Sequence, residues 1–475
     1  MEPALFGALT RILGPHGVVT GPGSLATYEH DGFMARARPL AVCLPTETDQ
    51  VAALIRLAAR EGLPVTPRGA GTGLSGGATA VAGGLVIATS RMNRILKLDP
   101  ASLRGTVQPG VVNAELTRAA APHGLYYAPD PSSQSASTIG GNVAENAGGP
   151  HCLAYGVTTD HVLALEGVTA AGDVLRFGGY PDGADSPGYD LSGLLTGSEG
   201  NLAFVTGVTV RLLPRMESVS TLLALFGSVA GAGAGASAVI AAGIIPAALE
   251  FVDSITIGAL RQGGFRDYPA EAEAVLLVEL EGLAGALPEE TGRVLEVLLE
   301  AGATEVRTAT AAGERARLWA GRKGALGAFG NLAPNYYIQD GVVPRSRMVE
   351  VLQRIQALAA HEGLLIANVF HAGDGNLHPT ILYDSRQPGL TERVVAAGAA
   401  ILRFCVDAGG TLSGEHGVGL EKQAYLDWVL GPADQAAQLA VKRAFDPLAR
   451  LNPGKPFSGP LGSPKSEVPG PKSQV

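Results

Sequence analysis

The stretch PRGAGTGLSGGATAVAGG, residues 67 to 84, places Gly71-x-Gly73-x-x-Gly76 directly after a short β-rich segment, PVTP. A strand followed by that spacing is the dinucleotide fingerprint, and it needs a helix to open at its end so that a pyrophosphate meets the helix N-terminus. Here the next β-rich run, LVIAT, begins at Leu85, and the eight intervening residues include Gly77, Gly83 and Gly84. They leave little length for such a helix, so a doubly wound nucleotide fold is disfavoured. Glycines this dense still let the backbone approach something closely, and successive unhindered N–H groups can cradle phosphate oxygens without a helix. The Gly-Lys-Ser/Thr ending of a P-loop is absent. A second segment, PDPSSQSASTIGGNVAENAGG, is nearly free of charge and rich in small hydroxyls and amides. Two such loops in one region point to a long, phosphate-bearing cofactor, with two irregular surface loops as the alternative.

A chain of 475 residues exceeds one hydrophobic core of ordinary size. Residues 1–39 form an N-terminal segment of helical character, and 40–215 alternate helical spacing (DQVAALIRLAAR) with β-rich segments (GLVIATS, LRGTVQP, FVTGVTVRLL). Residues 216–410 form a second α+β region containing the low-complexity GSVAGAGAGASAVIAAG, expected as a closely packed helix, and the strand AVLLVELEG. In the same region the amphipathic RMVEVLQRIQALAAHEG precedes LLIANVF, a buried strand that runs straight into His371. Residues 411–457 form a C-terminal segment, and the Pro-, Ser- and Gly-rich tail 458–475 is expected to be disordered.

Net charge −9 with no Lys/Arg run argues against a phosphate-backbone binder, so nucleic acid is not an expected partner. The N-terminus lacks signal-peptide features, and no apolar run reaches membrane-spanning length. Cys43, Cys152 and Cys405 lie far apart, which suits a reducing compartment; a cytoplasmic location is expected.

HAGDGNLH (371–378) and SGEHG (413–417) hold three of the nine histidines. Two imidazoles and a carboxylate, His371, His378 and Glu415, form a three-ligand set that leaves coordination positions open, as a catalytic divalent metal requires; Zn, Mn and Fe all fit. On an uninterrupted strand the odd spacing would put the two rings on opposite faces, but Gly-Asp-Gly can turn the chain so that they converge. Taken alone, a histidine at a strand end is more often a structural hydrogen-bonder. With Glu415 on a metal, His416 beside it is left as the general base, since an ordinary imidazole titrates near pH 6.5. In ERARLWAGRKGAL a guanidinium would suit a substrate carboxylate through its bidentate fork, whereas Arg315 and Arg317 read as a solvated helix face.

PRGAGTGLSGGA, STIGGNVAENAGGP, GSEGNLAFVTG, HAGDGNLHP, SGEHGVG and FDPLARLNPGK occur in this order, and together they resemble the FAD-linked oxidases of the p-cresol methylhydroxylase and vanillyl-alcohol oxidase type. Within that family the chain is most similar to the D-2-hydroxy-acid branch that contains glycolate oxidase FAD subunits and D-lactate dehydrogenases. The resemblance covers roughly residues 20 to 457. It implies an α+β fold: a two-part FAD-binding domain, an α+β substrate (cap) domain, and a C-terminal segment returning to the FAD domain to complete the active site. It implies non-covalent FAD, its pyrophosphate on the amides around Gly69, Gly71, Thr72, Gly73 and Ser75, with Pro129, Ser135, Gly140, Gly141 and Asn142 along the flavin. Glu199, Gly200 and Val205 would border the adenosine side, and Asn452 would reach the cofactor from the C-terminus. Asn201 and Ala203 stand where the family usually has Thr and Gly, a departure on the adenine side. By its place in LWAGRK, Arg322 matches the family's substrate arginine.

The implied reaction is oxidation of a small D-2-hydroxy acid to the 2-oxo acid with hydride transfer to flavin N5, and the resemblance puts Leu326 and Ile338 where the hydroxyglutarate branch holds a distal carboxylate. Iron–sulfur or second FAD-domain subunits are the implied electron-transfer partners, through which any membrane association would be made. Two other readings stay open. One is a non-haem Fe(II) oxygenase, which uses the same donor set but has no role for the glycine loops; flavin absorbance separates it. The other is an FAD-binding subunit that relays electrons or scaffolds a complex without its own turnover.

Overall fold

A computed structural model describes residues 2–182 and 188–457. The tail expected to be disordered lies outside the described residues. The described chain forms two compact units: one holds the residues up to Gly149, Gly156–Arg215 and those from Glu415 to Phe457; the other holds Pro150–Tyr155 and Met216–Gly414.

The first unit carries two main sheets. In the smaller, β1 (Val18–Val19), β2 (Ala41–Cys43), β3 (Val65–Arg68) and β4 (Leu85–Ala88) are ordered β1-β2-β4-β3, with β2 and β3 both parallel to β4. No helix lies between Gly76 and β4, so the glycine run is a loop joining two parallel strands. The crossover helix Thr48–Glu61 is amphipathic because Val51, Leu54, Ile55 and Ala58 recur at i, i+3, i+4 and i+7, all buried. Gly62 ends it at φ +69°, its amide capping Ala58 and Ala59. The buried face packs with Leu9, Leu13, Ile87, Phe204 and Leu451.

The larger sheet of this unit contains β5 (Ile95–Asp99), β6 (Arg104–Val107), β8 (Val162–Val168), β9 (Val174–Phe177) and β10 (Phe204–Arg211) in the antiparallel order β5-β6-β10-β8-β9. β7 (Leu125–Tyr126) pairs with β11 (Leu213–Pro214) in a separate ribbon. Near the C-terminus Leu451 bridges Val65, adding a parallel contact to β3.

The second unit is built on one large antiparallel sheet of β12 (Ser218–Phe226), β13 (Ala248–Asp253), β14 (Ala274–Gly282), β15 (Glu305–Ala309), β16 (Asn335–Ile338), β17 (Gly341–Val342), β18 (Leu365–His371), β19 (Asn376–Leu377) and β20 (Pro379–Tyr383). The path is β15-β12-β14-β13-β18-β19-β17, and β20 joins β18 to β16. The low-complexity stretch is the helix Val229–Ala241. Its glycines permit close packing: a Cβ on Gly235 would lie 2.7 Å from the Phe226 ring, and one on Gly233 would lie 3.0 Å from Val349. β13 is buried along its whole length, so a charge inside it needs partners.

Among the described residues, no helix is long and apolar enough to cross a membrane. The three cysteines are unpaired with one another, Cys43 and Cys405 buried and Cys152 partly so.

Candidate active site

In the second unit β18 ends at His371, and Ala372 to Gly375 turn the chain so that His371 faces Asn376 across the β18–β19 pair. Gly375 sits at φ +79°, and a Cβ there would lie 2.2 Å from the Val343 carbonyl oxygen, so only glycine makes this turn. The reversal cancels the odd spacing of the histidines. Their ring centroids are 5.1 Å apart at 83°, and both side chains are buried.

Each imidazole stands against a buried carboxylate that the motifs did not single out. Glu250, in the middle of β13 and 0 % exposed, faces His371 across the sheet, its Oε1 2.8 Å from His371 Nδ1. Asp340, also 0 % exposed, lies 3.6 Å from His378 Nε2. It accepts hydrogen bonds from Asn376 Nδ2 at 2.9 Å, Ser413 Oγ at 2.6 Å and the Gly414 amide, tying the hairpin to the segment that leads into SGEHG.

The helix Ala312–Ala328 presents Arg322 inward, while Arg315 is half-buried and Arg317 is exposed, pairing with Asp267 at 3.3 Å. Tyr268 sets this helix: its hydroxyl donates to the Leu318 carbonyl at 2.7 Å, and its ring fills the space beside Gly321. Arg322 is only 4 % exposed, and its Nη2 contacts Glu250 Oε2. Burial by itself would raise the Glu250 pKa, but Arg322 and His371 outweigh it and hold the carboxyl below the ordinary range. One carboxylate thus joins Arg322 to His371.

In the first unit the glycine loop is braced from below. Arg68 Nη1 donates to the carbonyls of His30 at 2.9 Å and Ala78 at 3.0 Å, and a Cβ on Gly71, at φ +74°, would collide with that guanidinium. Lys455 Nζ donates to the carbonyls of Gly77 and Thr79, and Asn452 Nδ2 to those of Gly77 and Glu199 at 2.9 Å each. Ser75 is 0 % exposed, its carbonyl accepting the Leu420 and Glu421 amides. The upper side of the loop is uncommitted: no backbone amide from Gly71 to Gly77, Thr72 included, donates to the described residues. A Cβ on Gly73 would meet nothing within 4 Å. A Cβ on Gly69 would strike Thr138 of the second loop at 2.5 Å, so the two loops touch there.

The second glycine segment is less open, because Ile139–Glu145 forms a short helix capped by Thr138. The Gly140 amide donates to the Pro109 carbonyl at 2.8 Å, the Gly141 amide to Thr138 Oγ1 at 3.3 Å, and the Pro129 carbonyl accepts Asn113 Nδ2 at 2.8 Å. Ser135 is exposed. Asn142 Nδ2, Ser75 Oγ and Ser137 Oγ are buried without a hydrogen-bond partner. Such polar atoms ask for a partner, and with the open amides of the first loop they fit an extended, phosphate-bearing ligand such as FAD.

Glu199 sits in a tight turn with Gly200, at φ +52° and +68°. Its carboxylate accepts the Val418 and Gly419 amides at 2.8 Å each, fixing the turn that follows Glu415 and His416. Glu415 Oε1 and His416 Nε2 are 3.8 Å apart. Asn201 and Ala203 have structural partners, since the Asn201 carbonyl accepts Lys442 Nζ at 2.6 Å and Ala203 is buried in the core of this unit. Val205 lies in β10 beside a register shift. Burial, with Glu199 and Asp31 nearby, pushes Glu145 well above the ordinary carboxylate range, and burial lowers Lys455 to about 8 against the pull of Asp31, Glu199 and Glu145.

The family described as "FAD linked oxidases, C-terminal domain" matches residues 215–456, and "FAD binding domain" matches residues 39–178. The glycolate oxidase subunit GlcD of Escherichia coli (strain K12) is 49% identical over 429 residues, covering 90% of this chain and 86% of that protein. A D-lactate dehydrogenase of Anaerostipes hadrus is 34% identical, covering 93% and 95%. The crystal structure of p-cresol methylhydroxylase with substrate bound superposes with a TM-score of 0.81 at 18% identity over 96% of this chain and 97% of that one, a likeness of fold alone.

Proposed function

Because the chain belongs to the FAD-linked oxidases and is an FAD-linked oxidoreductase of the glycolate oxidase and D-lactate dehydrogenase type, we propose that it oxidises a small D-2-hydroxy acid, of the glycolate or D-lactate class, to the 2-oxo acid. The observation that carries this reading is the grouping within one unit of two converging imidazoles, His371 and His378, with Arg322 linked to the first through Glu250.

In this reading the amides around Gly69, Gly71, Thr72, Gly73 and Ser75 would hold the FAD pyrophosphate, and FAD would supply the two-electron acceptor for the substrate C2 hydrogen. His371, His378 and Glu415 would hold a divalent ion, Zn, Mn or Fe, which would supply Lewis-acid charge to make the substrate hydroxyl more acidic. Arg322 binds the substrate carboxylate through its planar fork. His416 takes the hydroxyl proton. The substrate loses one proton from oxygen and one hydride from carbon, and a C=O bond forms at C2. The electrons then leave for a partner subunit, iron–sulfur or FAD-bearing, a proposal prompted by the word "subunit" in the name of the Escherichia coli relative.

An anaerobic screen of D- and L-2-hydroxy acids, read by bleaching of the flavin absorbance with and without chelator, tests this. Bleaching by D-lactate or glycolate that a chelator abolishes, with the flavin still bound, is expected. No bleaching by any of these acids in metal-replete, FAD-loaded protein would leave a flavin-carrying subunit without turnover of its own.

A further inference from the structure

Glu250 stands in the middle of the strand ALEFVD, which is buried from end to end and whose other residues are apolar except for Asp253 at its end. An ionised carboxylate at such a place is tolerated only with cationic or donating partners, and it has two, on different elements. Oε1 meets His371 Nδ1 at 2.8 Å across the β13–β18 pair, and Oε2 meets Arg322 Nη2 from the helix Ala312–Ala328. We propose that Glu250 is a positioning residue that fixes both the proton of His371 and the orientation of Arg322, so that one buried charge sets the metal ligand and the substrate clamp together. This rests on the reading of His371 as a ligand and Arg322 as the carboxylate binder.

The chemistry follows from the donor inventory. A carboxylate with no proton only accepts, so the hydrogen of this bond belongs to His371 Nδ1. Nε2 of the same ring then holds the lone pair, the state a metal-binding imidazole needs, with the ring angle set by the carboxylate behind it. Arg322 is planar, so a contact that engages Nη2 also sets the direction of the rest of the guanidinium. Its Nε is buried and has no hydrogen-bond acceptor among the described residues, a donor left for a ligand carboxylate. A neutral residue at position 250 would remove the cause of both arrangements while leaving FAD-loop contacts untouched.

The test is Glu250→Gln, which keeps shape and removes charge, titrated with Mn²⁺ by calorimetry after chelator treatment of the FAD-loaded protein. Mn²⁺ affinity should fall about 10–100-fold, the usual scale for losing the carboxylate behind a ligating histidine. FAD occupancy should not change, and at saturating Mn²⁺ the remaining defect should lie in KM for D-lactate more than in kcat. In a His371→Ala background the same substitution should cost no further Mn²⁺ affinity, whereas a merely structural role would lower it again. Should Glu250→Gln fail to fold, Glu250→Asp retracts the charge by one methylene, and the same two comparisons are made with it. Folded Glu250→Gln, or Glu250→Asp in its place, with wild-type Mn²⁺ affinity and KM overturns the assignment. Wild-type Mn²⁺ affinity in His371→Ala would instead overturn the metal reading beneath it, so the two failures are distinct.

Discussion

Lys455 Nζ lies 2.9 Å from the carbonyl oxygen of Gly77, so a buried ammonium from the C-terminal segment holds down the far end of the glycine loop. The same nitrogen is 3.0 Å from Asn452 Oδ1, and Asn452 itself bonds Gly77. The carbonyls of the loop are thereby drawn to one side, which leaves its amides facing the other.

Lys455 also has a calculable signature in pH. Burial lowers its pKa from 10.5 to about 8 in the folded chain. Between those values the unfolded chain binds the extra proton and the folded chain does not, so this group's contribution to stability rises with pH across that window. Urea unfolding of flavin-free protein should show wild type gaining on Lys455→Met as pH is raised from about 8 to 10. A difference that stays flat, or shrinks, would contradict the placement. Lys455→Met should also retain less FAD after gel filtration.

Gly73 and Gly71 should separate binding from folding. A side chain at Gly73 meets open space, so flavin-free Gly73→Val should match wild type within about 0.5 kcal/mol, yet it should purify almost without flavin. At Gly71 the backbone is left-handed and the guanidinium of Arg68 occupies the site, so Gly71→Val should lose roughly 1–3 kcal/mol in the flavin-free protein. Absorbance at the flavin bands and thermal unfolding read the two effects. Full FAD occupancy in Gly73→Val would move the cofactor elsewhere.

His416→Ala should keep FAD and metal and slow flavin reduction about 10²–10⁴-fold, the scale of a lost positioned base. Arg322→Lys should chiefly raise KM, because an ammonium cannot reproduce the fork and no longer matches Glu250 as a plane. Stopped-flow reduction with parallel metal analysis checks both. Metal loss in His416→Ala would mean that Glu415 and His416 have exchanged roles.

Leu326 follows Arg322 by four residues on the same helix, hence on the same face, and Ile338 is 7 % exposed in β16. Neither offers a partner to a second carboxylate, and an unpaired buried carboxylate costs several kcal/mol. The ratio kcat/KM for D-lactate should therefore exceed that for D-2-hydroxyglutarate by about 100-fold or more, since each 1.4 kcal/mol is tenfold. Comparable values would show that another cation serves the distal group.

Features with a local cause could be read from the chain. The little room for a helix before Leu85, the turn in HAGDGNLH and the tight helix of small residues all follow from spacing or from missing side chains. Glu250, Asp340, Arg68 and Lys455 were missed because their roles arise only when distant segments bury them together; the local signs were acidic residues within the largely apolar ALEFVD and in IQDG. The carboxylate of Glu199 accepts the amides of Val418 and Gly419, partners some 220 positions away that no local pattern announces.

The discontinuity of the first unit has a consequence for biosynthesis. Leu451 belongs to the same buried cluster as Leu54, Ile87 and Phe204 and pairs beside Val65, so this core lacks a wall until nearly the last described residue has been translated. From Arg215 to Glu415 the ribosome adds 200 residues, an interval of roughly 10–40 s at ~5–20 residues per second. Throughout that time the half made first keeps an apolar flank open, and the half begun second is the first to have nearly all of its own chain. Nascent protein arrested just before residue 415 should accordingly be rich in chaperone-binding surface, which release of the final segment removes.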